Sequence, residues 1–239
     1  MSQLMFYSPT HELLAKNTFS IKNRKLRIID YGCGEGVLLH YLPLEKIHHY
    51  DGYEVNKDSL QAAKKKWEVS SKISFEMINR KKLPRFGNND KVDFIFLIGV
   101  VQYLPQADLA YVLKEAFRVL KPGGKLLVSC TTDHVIYKWF NIYRLFLPHN
   151  VVNRGKLIQR LIESGLTIDQ QYERGLFLTP IFSNVLVFFF DAFDKVIYKT
   201  HGELGPAGRR VRSFWAPLTK IEFKLNFDFG YTLFVVASK

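Results

Sequence analysis

The stretch that decides the fold is Leu26-Arg27-Ile28-Ile29-Asp30-Tyr31-Gly32-Cys33-Gly34-Glu35-Gly36. It runs as an apolar strand into an acid and then places three glycines at alternate positions. A second strand follows and ends near Glu54, 22 residues after Gly32. Glycines let the backbone turn tightly and approach a ligand closely, and an acid that closes the second strand can hydrogen-bond ribose hydroxyls. The layout predicts a nucleotide-type cofactor site at the first strand–helix turn of an α/β sheet.

The spacing of the glycines distinguishes among cofactors. The dinucleotide pattern G-x-G-x-x-G is absent, because Val37 stands three residues after Gly34. No phosphate loop of the form G-x-x-x-x-G-K follows the strand either. The pattern D-x-G-x-G-x-G, carried by Asp30, Gly32, Gly34 and Gly36, resembles motif I of the class I (Rossmann-like) methyltransferases that use S-adenosylmethionine.

Three further segments resemble the same family in the same order along the chain. Residues 52–63 resemble the ribose-binding strand and the helix after it, and residues 93–104 resemble the fourth strand and the start of the next helix. Residues 117–129 resemble the turn into the fifth strand. The resemblance implies an α/β fold of Rossmann-like type, with a mostly parallel, seven-stranded sheet, flanking helices and S-adenosylmethionine as the cofactor.

The resemblance also implies roles for the residues of the glycine loop and the second strand. Gly32, Gly34 and Gly36 would pass close to the methionine part of the cofactor. Asp30 would organise the loop and the amino group of the cofactor. Glu54 would bind the ribose hydroxyls.

Further cofactor-binding positions follow at the ends of later strands. Val55 and Asn56 would flank the adenine ring, and Gly99 and Val100 would follow the fourth strand along the cofactor. Asn79 stands where the family commonly carries an acid that contacts the adenine amino group. The side-chain oxygen of asparagine can still accept that hydrogen bond.

The catalytic base is less clearly marked in the sequence. Gln102-Tyr103 occupies the place where relatives often carry Glu-His, so that histidine is absent here. The candidate bases are His134 and Tyr103, with His149 as a further candidate. His134 follows the fifth strand at the expected substrate mouth, and histidine titrates near neutral pH. Transfer driven by proximity needs no base, and a sulfonium methyl donor needs no metal.

Composition limits the class of protein. The chain has 239 residues, of which 47% are hydrophobic and 23% charged, as is typical of a globular protein. Two cysteines do not suggest a disulfide framework, and the N-terminal residues lack the form of a signal peptide. We therefore expect a cytoplasmic protein.

The charge of the chain favours anionic partners. The formal net charge is +12 at pH 7. Such a charge suits nucleic acid, acidic lipid headgroups or a phosphorylated substrate, and it also serves solubility alone. The basic clusters are dispersed along the chain, which makes a nucleic-acid partner less favoured.

The pattern of strands and helices predicts one domain over residues 1–239, with a cofactor-binding core at about 24–134. The strands are expected at 26–31, 50–55, 73–78, 92–98, 125–130, 166–172 and 231–238. The helices are expected at 8–18, 57–67, 108–120 and 151–165, with one more beginning in the glycine loop. Residues 121–124 predict a turn, and the alternation over 221–227 predicts an additional strand.

Two aromatic segments depart from the pattern of the family. Residues 135–150 and 176–216 are predicted to form a mostly helical, aromatic-rich cap, with a basic, glycine-containing loop from 201 to 212. The uncharged run 175–190 is slightly short for a membrane span of about 20 residues. The cap would pack on the sheet or on a second subunit of a homo-oligomer. Alternatively, it would line an apolar substrate or lie at a membrane interface with basic side chains facing lipid phosphates.

The predicted function is methyl transfer from S-adenosylmethionine to a small, glycan-precursor or lipid-linked acceptor. The motif Asn/Asp-Pro-Pro-Tyr/Phe of adenine and amide N-methylation is absent, since residues 99–102 read Gly-Val-Val-Gln. One alternative is a tRNA or rRNA methyltransferase, suggested by the net charge. Another is a non-catalytic partner subunit that keeps the methyltransferase fold and docks through its Phe-rich segment.

Overall fold

A seven-stranded sheet organises the chain in the computed structural model. The structure describes residues 9–19, 25–67, 70–79, 86, 91–132, 152–176, 178, 181, 189–190, 193, 206–225 and 230–239. The strands are β1 (Leu26–Tyr31), β2 (Ile47–Glu54), β3 (Ile73–Met77), β4 (Val92–Ile98), β5 (Leu120–Thr131), β6 (Thr167–Arg174) and β7 (Thr232–Ser238).

The order of the strands is β3-β2-β1-β4-β5-β7-β6. Neighbouring strands from β3 to β5 pair in parallel, while β7 is antiparallel to both β5 and β6. The predicted mostly parallel, seven-stranded sheet of Rossmann-like type is therefore confirmed. The carboxyl ends of β1, β2 and β4 meet at one edge, where ligands bind in open α/β sheets.

Helices cover both faces of this sheet. They are α1 (Pro9–Phe19), α2 (Lys57–Trp67), α3 (Gln106–Val119), α4 (Arg154–Glu163) and α5 (Pro206–Lys224). Helices α1, α2 and α5 contribute to the apolar cluster on one face, and α3 and α4 contribute to the cluster on the other. Short 3-10 helices span Val37–His40, Leu44–Lys46 and Val101–Tyr103.

The central strand β4 shows why its sequence is an almost continuous apolar run. Successive side chains of a strand point to opposite faces, and both faces of this sheet are covered. Phe94 and Phe96 accordingly pack on the side of α1 and α2, while Ile95 and Leu97 pack on the side of α3 and α4. All four side chains are at most 1% exposed.

The predicted α-helix after the glycine loop is wrong in kind. Only the 3-10 helix Val37–His40 forms there. Gly34 and Gly36 both have positive φ, which keeps the chain out of the helical region until Val37. Pro43 then precedes a second 3-10 turn, so the loop leaves no room for a longer helix.

The predicted turn at 121–124 is also corrected. Strand β5 begins already at Leu120, directly after α3. Gly123 donates a hydrogen bond to the carbonyl of Lys239 at 3.0 Å, and Lys239 donates to the carbonyl of Gly124 at 3.1 Å. Pairing with the C-terminal residue thus draws this segment into the sheet, although Gly123 keeps a positive φ.

Two predictions near the end of the chain are wrong. Residues 221–224 of the predicted strand and residues 206–212 of the predicted loop both lie in α5. The alternation that suggested a strand has another cause, because Phe223 is buried against Phe234 of β7 while Ile221 is 59% exposed. The contact with β7 is tertiary and leaves no mark in the local pattern.

The predicted helical cap is not confirmed. Its first segment, 135–150, lies outside the described residues, as does most of the second. The part of α5 within the second segment belongs to a helix that packs beside α1, where Lys220 lies 3.7 Å from Glu12. In the described part of the chain, no helix is long and apolar enough to cross a membrane.

Candidate cofactor site

The glycine loop joins the carboxyl ends of β1, β2 and β4. The backbone N–H groups of Gly32 and Cys33 both donate to the carbonyl of Tyr53, at 2.7 and 3.0 Å. A Cβ on Gly32 would lie 2.2 Å from a methyl group of Val100. Only glycine permits this approach, so the close packing of the loop against the end of β4 explains the first glycine.

The other two glycines of the loop differ in what surrounds them. A Cβ on Gly36 would lie 2.8 Å from the indole of Trp67, so this glycine is needed for packing. A Cβ on Gly34 would meet nothing within 4 Å. Gly34 therefore borders open space, and its backbone leaves room for a ligand at the edge of the sheet.

Glu54 closes β2 and holds the loop through backbone donors. One carboxylate oxygen accepts a hydrogen bond from the N–H of Gly34 at 2.8 Å. The other accepts from the N–H groups of Val55 and Asn56, both at 2.8 Å. The side chain is only 8% exposed, and of its roughly four lone-pair positions the one left beyond these three bonds is on Oε2. Glu54 can thus support the loop and still receive one hydroxyl donor.

Asp30 lies beneath the loop and is 2% exposed. The Tyr50 hydroxyl donates to its Oδ2 at 2.7 Å. Burial raises the pKa of Asp30 from 3.8 to about 7, the hydrogen bond from Tyr50 opposes this rise, and the nearby charge of Glu54 adds to it. The carboxyl is therefore poised between its neutral and ionised forms near neutral pH, and a cationic ligand would favour ionisation.

The predicted adenine-side residues lie at the same edge. Asn56 uses its Oδ1 to accept from the N–H groups of Asp58 and Ser59, both at 3.0 Å, and so caps α2. Asn79 is exposed and follows Ile78, whose N–H donates to the carbonyl of Glu54 at 2.7 Å. The backbone thus places Asn79 beside the end of β2.

Gln102, just after β4, is a buried polar residue that was not among the predicted site residues. Gln102 is 6% exposed, and its Oε1 has no hydrogen-bond partner within the described ranges. A buried carbonyl oxygen without a donor is costly, and such atoms point to a missing partner. In the sequence, the one indication of this residue is that a polar side chain interrupts the mostly apolar run from Ile98 to Leu104.

Tyr103, a predicted catalytic residue, follows directly and is half exposed. Burial of the phenol raises its pKa, and a hydrogen bond from Gln102 opposes the rise. The hydroxyl is therefore protonated at neutral pH, where it can donate a hydrogen bond. Gly99 directly follows β4 with a φ of 68°, and its N–H donates to the carbonyl of Ser129 at 2.9 Å.

The other predicted catalytic residue, His134, lies outside the described residues, as does His149. The last residue described after β5, before residue 152, is Thr132, whose hydroxyl donates to the carbonyl of Gly230 at 2.9 Å. Cys33 is 5% exposed, and burial raises the pKa of its thiol. It therefore lacks the thiolate character of a nucleophile and serves as a small buried residue of the loop.

A cleft of about 220 Å³ lies between α3 and α4 beside the end of β4. Its lining is nearly evenly divided between apolar and polar residues, and the polar part includes Lys156 and Arg160 of α4. Arg160 donates to the backbone carbonyl of Gln106 at 3.2 Å. The lining is Val101, Leu104, Gln106, Leu109, Val152, Asn153, Lys156, Leu157 and Arg160.

The strand order, the glycine loop and the acid at the end of β2 define a Rossmann-like protein with a nucleotide-type cofactor site. A family model described as a methyltransferase domain matches residues 22–173, more than half of the chain. The chain therefore belongs to this methyltransferase family, whose fold is that of the class I S-adenosylmethionine-dependent methyltransferases. No curated protein sequence matches it in a direct comparison.

Solved structures with this fold include several methyltransferases. An S-adenosylmethionine-dependent methyltransferase from Mesorhizobium loti gives a TM-score of 0.63 at 18% identity, covering 98% of this chain and 100% of that one. Phosphoethanolamine N-methyltransferase 2 of Haemonchus contortus, in complex with S-adenosyl-L-methionine, gives 0.60 at 18% identity, with 95% and 52% covered. A chain of the Haloferax volcanii complex between the Trm112 methyltransferase activator and a methyltransferase gives 0.59 at 17% identity, with 95% and 89% covered.

Proposed function

We propose that this protein transfers a methyl group from S-adenosylmethionine to a small, glycan-precursor or lipid-linked acceptor in the cytoplasm. The observation that carries the proposal is the bond between the Glu54 carboxylate and the N–H of Gly34 at the open edge of the sheet. It joins the acid at the end of β2 to the glycine that borders open space.

The residues at this edge fit the cofactor. Gly32, Gly34 and Gly36 would border its methionine part, and Glu54 would accept a hydrogen bond from a hydroxyl of its ribose. Asp30 would face its cationic groups from below, in the ionised form that such groups favour.

The neighbouring strand ends complete the proposed site. Val55, Asn56 and Asn79 would surround the adenine ring. The capping bonds of Asn56 leave its contact with adenine to the backbone and the Cβ. Gly99 and Val100 would border the cofactor from the end of β4.

Methyl transfer then depends more on the alignment of acceptor and methyl group than on acid–base catalysis. When bound, the cofactor supplies a methyl group on a positively charged sulfur. The chain must hold an acceptor atom in line with that methyl group, exclude water and, where needed, take up a proton. Gln102 Oε1 is suited to accept a hydrogen bond from an N–H or O–H of the acceptor, and Tyr103 can orient it. His134 remains the predicted base.

The proposed class of acceptor is supported by the cleft beside β4. Apolar side chains such as Leu104 and Leu157 would contact an apolar portion of the acceptor. Lys156 and Arg160 would favour an anionic group on the same molecule, for example a phosphate. This combination suits a phosphorylated glycan precursor or a lipid-linked acceptor, and the latter would bring the protein to a membrane surface.

Calorimetric titration with S-adenosylmethionine and S-adenosylhomocysteine tests the proposal. We expect micromolar binding by the wild-type protein, weakened by about tenfold or more in Glu54→Gln, because a carboxylate that accepts three backbone bonds is replaced by an amide that can accept at only one atom. Glu76→Gln is the matched control, since Glu76 is exposed on β3. A folded wild-type protein without binding would contradict the proposal.

That negative outcome would favour the non-catalytic partner subunit. The RNA methyltransferase alternative rests on the net charge of +12 and predicts binding to bulk RNA that weakens steeply as salt is added. Methyl transfer from labelled donor to RNA, but not to phosphorylated glycan precursors or lipid extracts, would establish that alternative. Size-exclusion chromatography with light scattering determines whether the protein forms a homo-oligomer.

A further inference from the structure

We propose that the outward face of α5 is a docking surface for an anionic lipid bilayer. This face, the α5 stripe, consists of Phe214, Leu218, Ile221 and Leu225 at the end of the helix. Their exposed fractions are 69%, 37%, 59% and 49%. Scattered exposed apolar residues are ordinary, but a continuous row of large ones marks an interaction surface.

The spacing of the stripe places its members in one line. They stand at i, i+4, i+7 and i+11, which is the period of one helix face. The opposite side of the helix is fixed to the protein, since Phe223 packs edge-on against Phe234 of β7 with ring centroids 6.0 Å apart. Thr219 is buried on the same side. The attachment through Phe223 and Thr219 therefore directs the stripe away from the sheet.

The charges on α5 indicate the kind of partner. Arg210, Lys220 and Lys224 are exposed along the flank of the stripe. The only acid in the helix sequence is Glu222, which is buried and accepts a hydrogen bond from the N–H of Leu178 at 2.8 Å. An apolar row with basic residues beside it is the pattern of helices that lie in a membrane interface, where cations meet lipid phosphates.

The same charges disfavour a second copy of the chain as the occupant. Two α5 helices paired through their stripes would place the basic flanks of both copies at one interface. Lys220 has Glu12 of α1 at 3.7 Å, but the exposed residues described on α5 include no acid to offset Lys224, and like charges facing each other across an interface cost free energy.

The position of α5 relates the surface to the proposed site. Leu225 precedes Gly230 by five residues, a span of at most about 18 Å. Gly230 lies at the carboxyl edge of the sheet, where its carbonyl accepts from the Thr132 hydroxyl and its N–H donates to Glu173 at 2.7 Å. A bilayer on the stripe would therefore lie near the edge at which a lipid-linked acceptor enters. This last step rests on the proposed function, but the docking itself does not.

Flotation of the full-length protein with vesicles tests the inference. We expect binding to vesicles of equal parts phosphatidylglycerol and phosphatidylcholine at low salt, and little binding to phosphatidylcholine alone. Ile221→Ser should weaken binding by about tenfold or more, because it removes a branched apolar side chain that docking would bury in the bilayer. The matched control is Ile162→Ser on α4, where the isoleucine is 56% exposed on the opposite face of the sheet.

A charge variant gives a second, independent readout. Lys224→Gln should weaken binding by about fivefold, as expected for one basic residue near an anionic surface, while Lys114→Gln on α3 should not. Absence of flotation by the wild-type protein, or equal losses in Ile221→Ser and Ile162→Ser, would overturn the inference. A dimer that Ile221→Ser converts to a monomer would overturn it as well. Titration with cofactor in the absence of vesicles keeps the outcome separate from that of the proposed function.

Discussion

At the scale of single residues, Gln102 combines burial with an unfinished hydrogen bond. In the 3-10 helix after β4, Gln102 lies between the apolar Val101 and Tyr103. A folded protein tolerates an unsatisfied buried acceptor at a cost of about 1–3 kcal/mol, and such costs concentrate at functional sites. Under the proposed function, this oxygen would receive its hydrogen bond from a donor on the bound acceptor.

Replacing Gln102 separates this role from a structural one. Gln102→Met keeps the length of the side chain and removes both the orphaned oxygen and the hydrogen bond to Tyr103. Because water can replace that bond at the half-exposed Tyr103, we expect the thermal midpoint to stay the same or rise. We expect kcat/KM for methyl transfer to fall by about tenfold, because a hydrogen bond to the acceptor is lost. Differential scanning fluorimetry and a labelled-methyl assay measure the two effects. A lower midpoint with unchanged kcat/KM would assign Gln102 to the fold alone.

Glu54 and Gln102 show how far residues can be predicted from the sequence. Glu54 was predicted from its position at the end of the second strand, because the distance from a glycine loop to that strand end is set by one strand–turn–strand unit. Gln102 was not selected, because the absence of a hydrogen-bond partner is a property of the surrounding packing. The roles of Glu54, Tyr103 and His134 all remain predictions.

At the scale of elements, Gly34 and Gly36 of the glycine loop are glycine for different physical reasons. Gly36 has a φ of 74° and Gly34 a φ of 55°, so both resist replacement by other residues. The surroundings then separate them, because a Cβ on Gly36 collides with the indole of Trp67 while a Cβ on Gly34 reaches open space. The loop therefore needs one glycine for packing, while the other borders open space.

Two alanine variants test this division. Gly34→Ala should cost about 1 kcal/mol of stability from backbone strain alone, yet weaken cofactor binding by about tenfold as the methyl group enters the ligand space. Gly36→Ala should lower the free energy of unfolding by about 2–4 kcal/mol, because the Trp67 ring must move as well. Chemical denaturation and calorimetry provide both numbers. Equal binding by Gly34→Ala and wild type would place the cofactor elsewhere.

Helix α5 illustrates the limit of local patterns. The alternation over residues 221–227 favoured a strand, and the basic run before it favoured a loop. The structure instead contains one helix through Lys224, with Pro217 inside it. Packing of Phe223 on β7 stabilises the helical arrangement, and that contact is made between two separate elements, so the local pattern does not show it.

At the scale of the whole molecule, buried Asp30 links stability to pH. Burial raises the pKa of Asp30 from 3.8 in the unfolded chain to about 7 in the folded protein. Between these values the folded state holds a proton that the unfolded state has released. The stabilisation is therefore complete below about pH 3.8 and is lost as the pH rises through about 7.

The free energy of unfolding should accordingly decrease by about 3 kcal/mol between pH 5 and pH 8 through this group alone. Asp30→Asn should remove that part of the slope. Tyr50→Phe should shift the loss to higher pH, because the hydrogen bond that lowers the pKa of Asp30 disappears. Urea denaturation at a series of pH values measures the slope. The same slope in wild type and Asp30→Asn would contradict the linkage.

The amino-acid sequence alone was enough to predict the class of the fold, the position of the glycine loop and the bounds of β1, β4 and α2, because these depend on short-range patterns. Glycines at alternate positions, a run of apolar residues and a helix period are legible within a dozen residues. Three features became visible only in the tertiary structure. They are the Gln102 oxygen without a hydrogen-bond partner, the different surroundings of Gly34 and Gly36, and the helical state and exposed stripe of α5. Each of these depends on contacts between separate elements, and burial there depends on neighbours that no local pattern specifies.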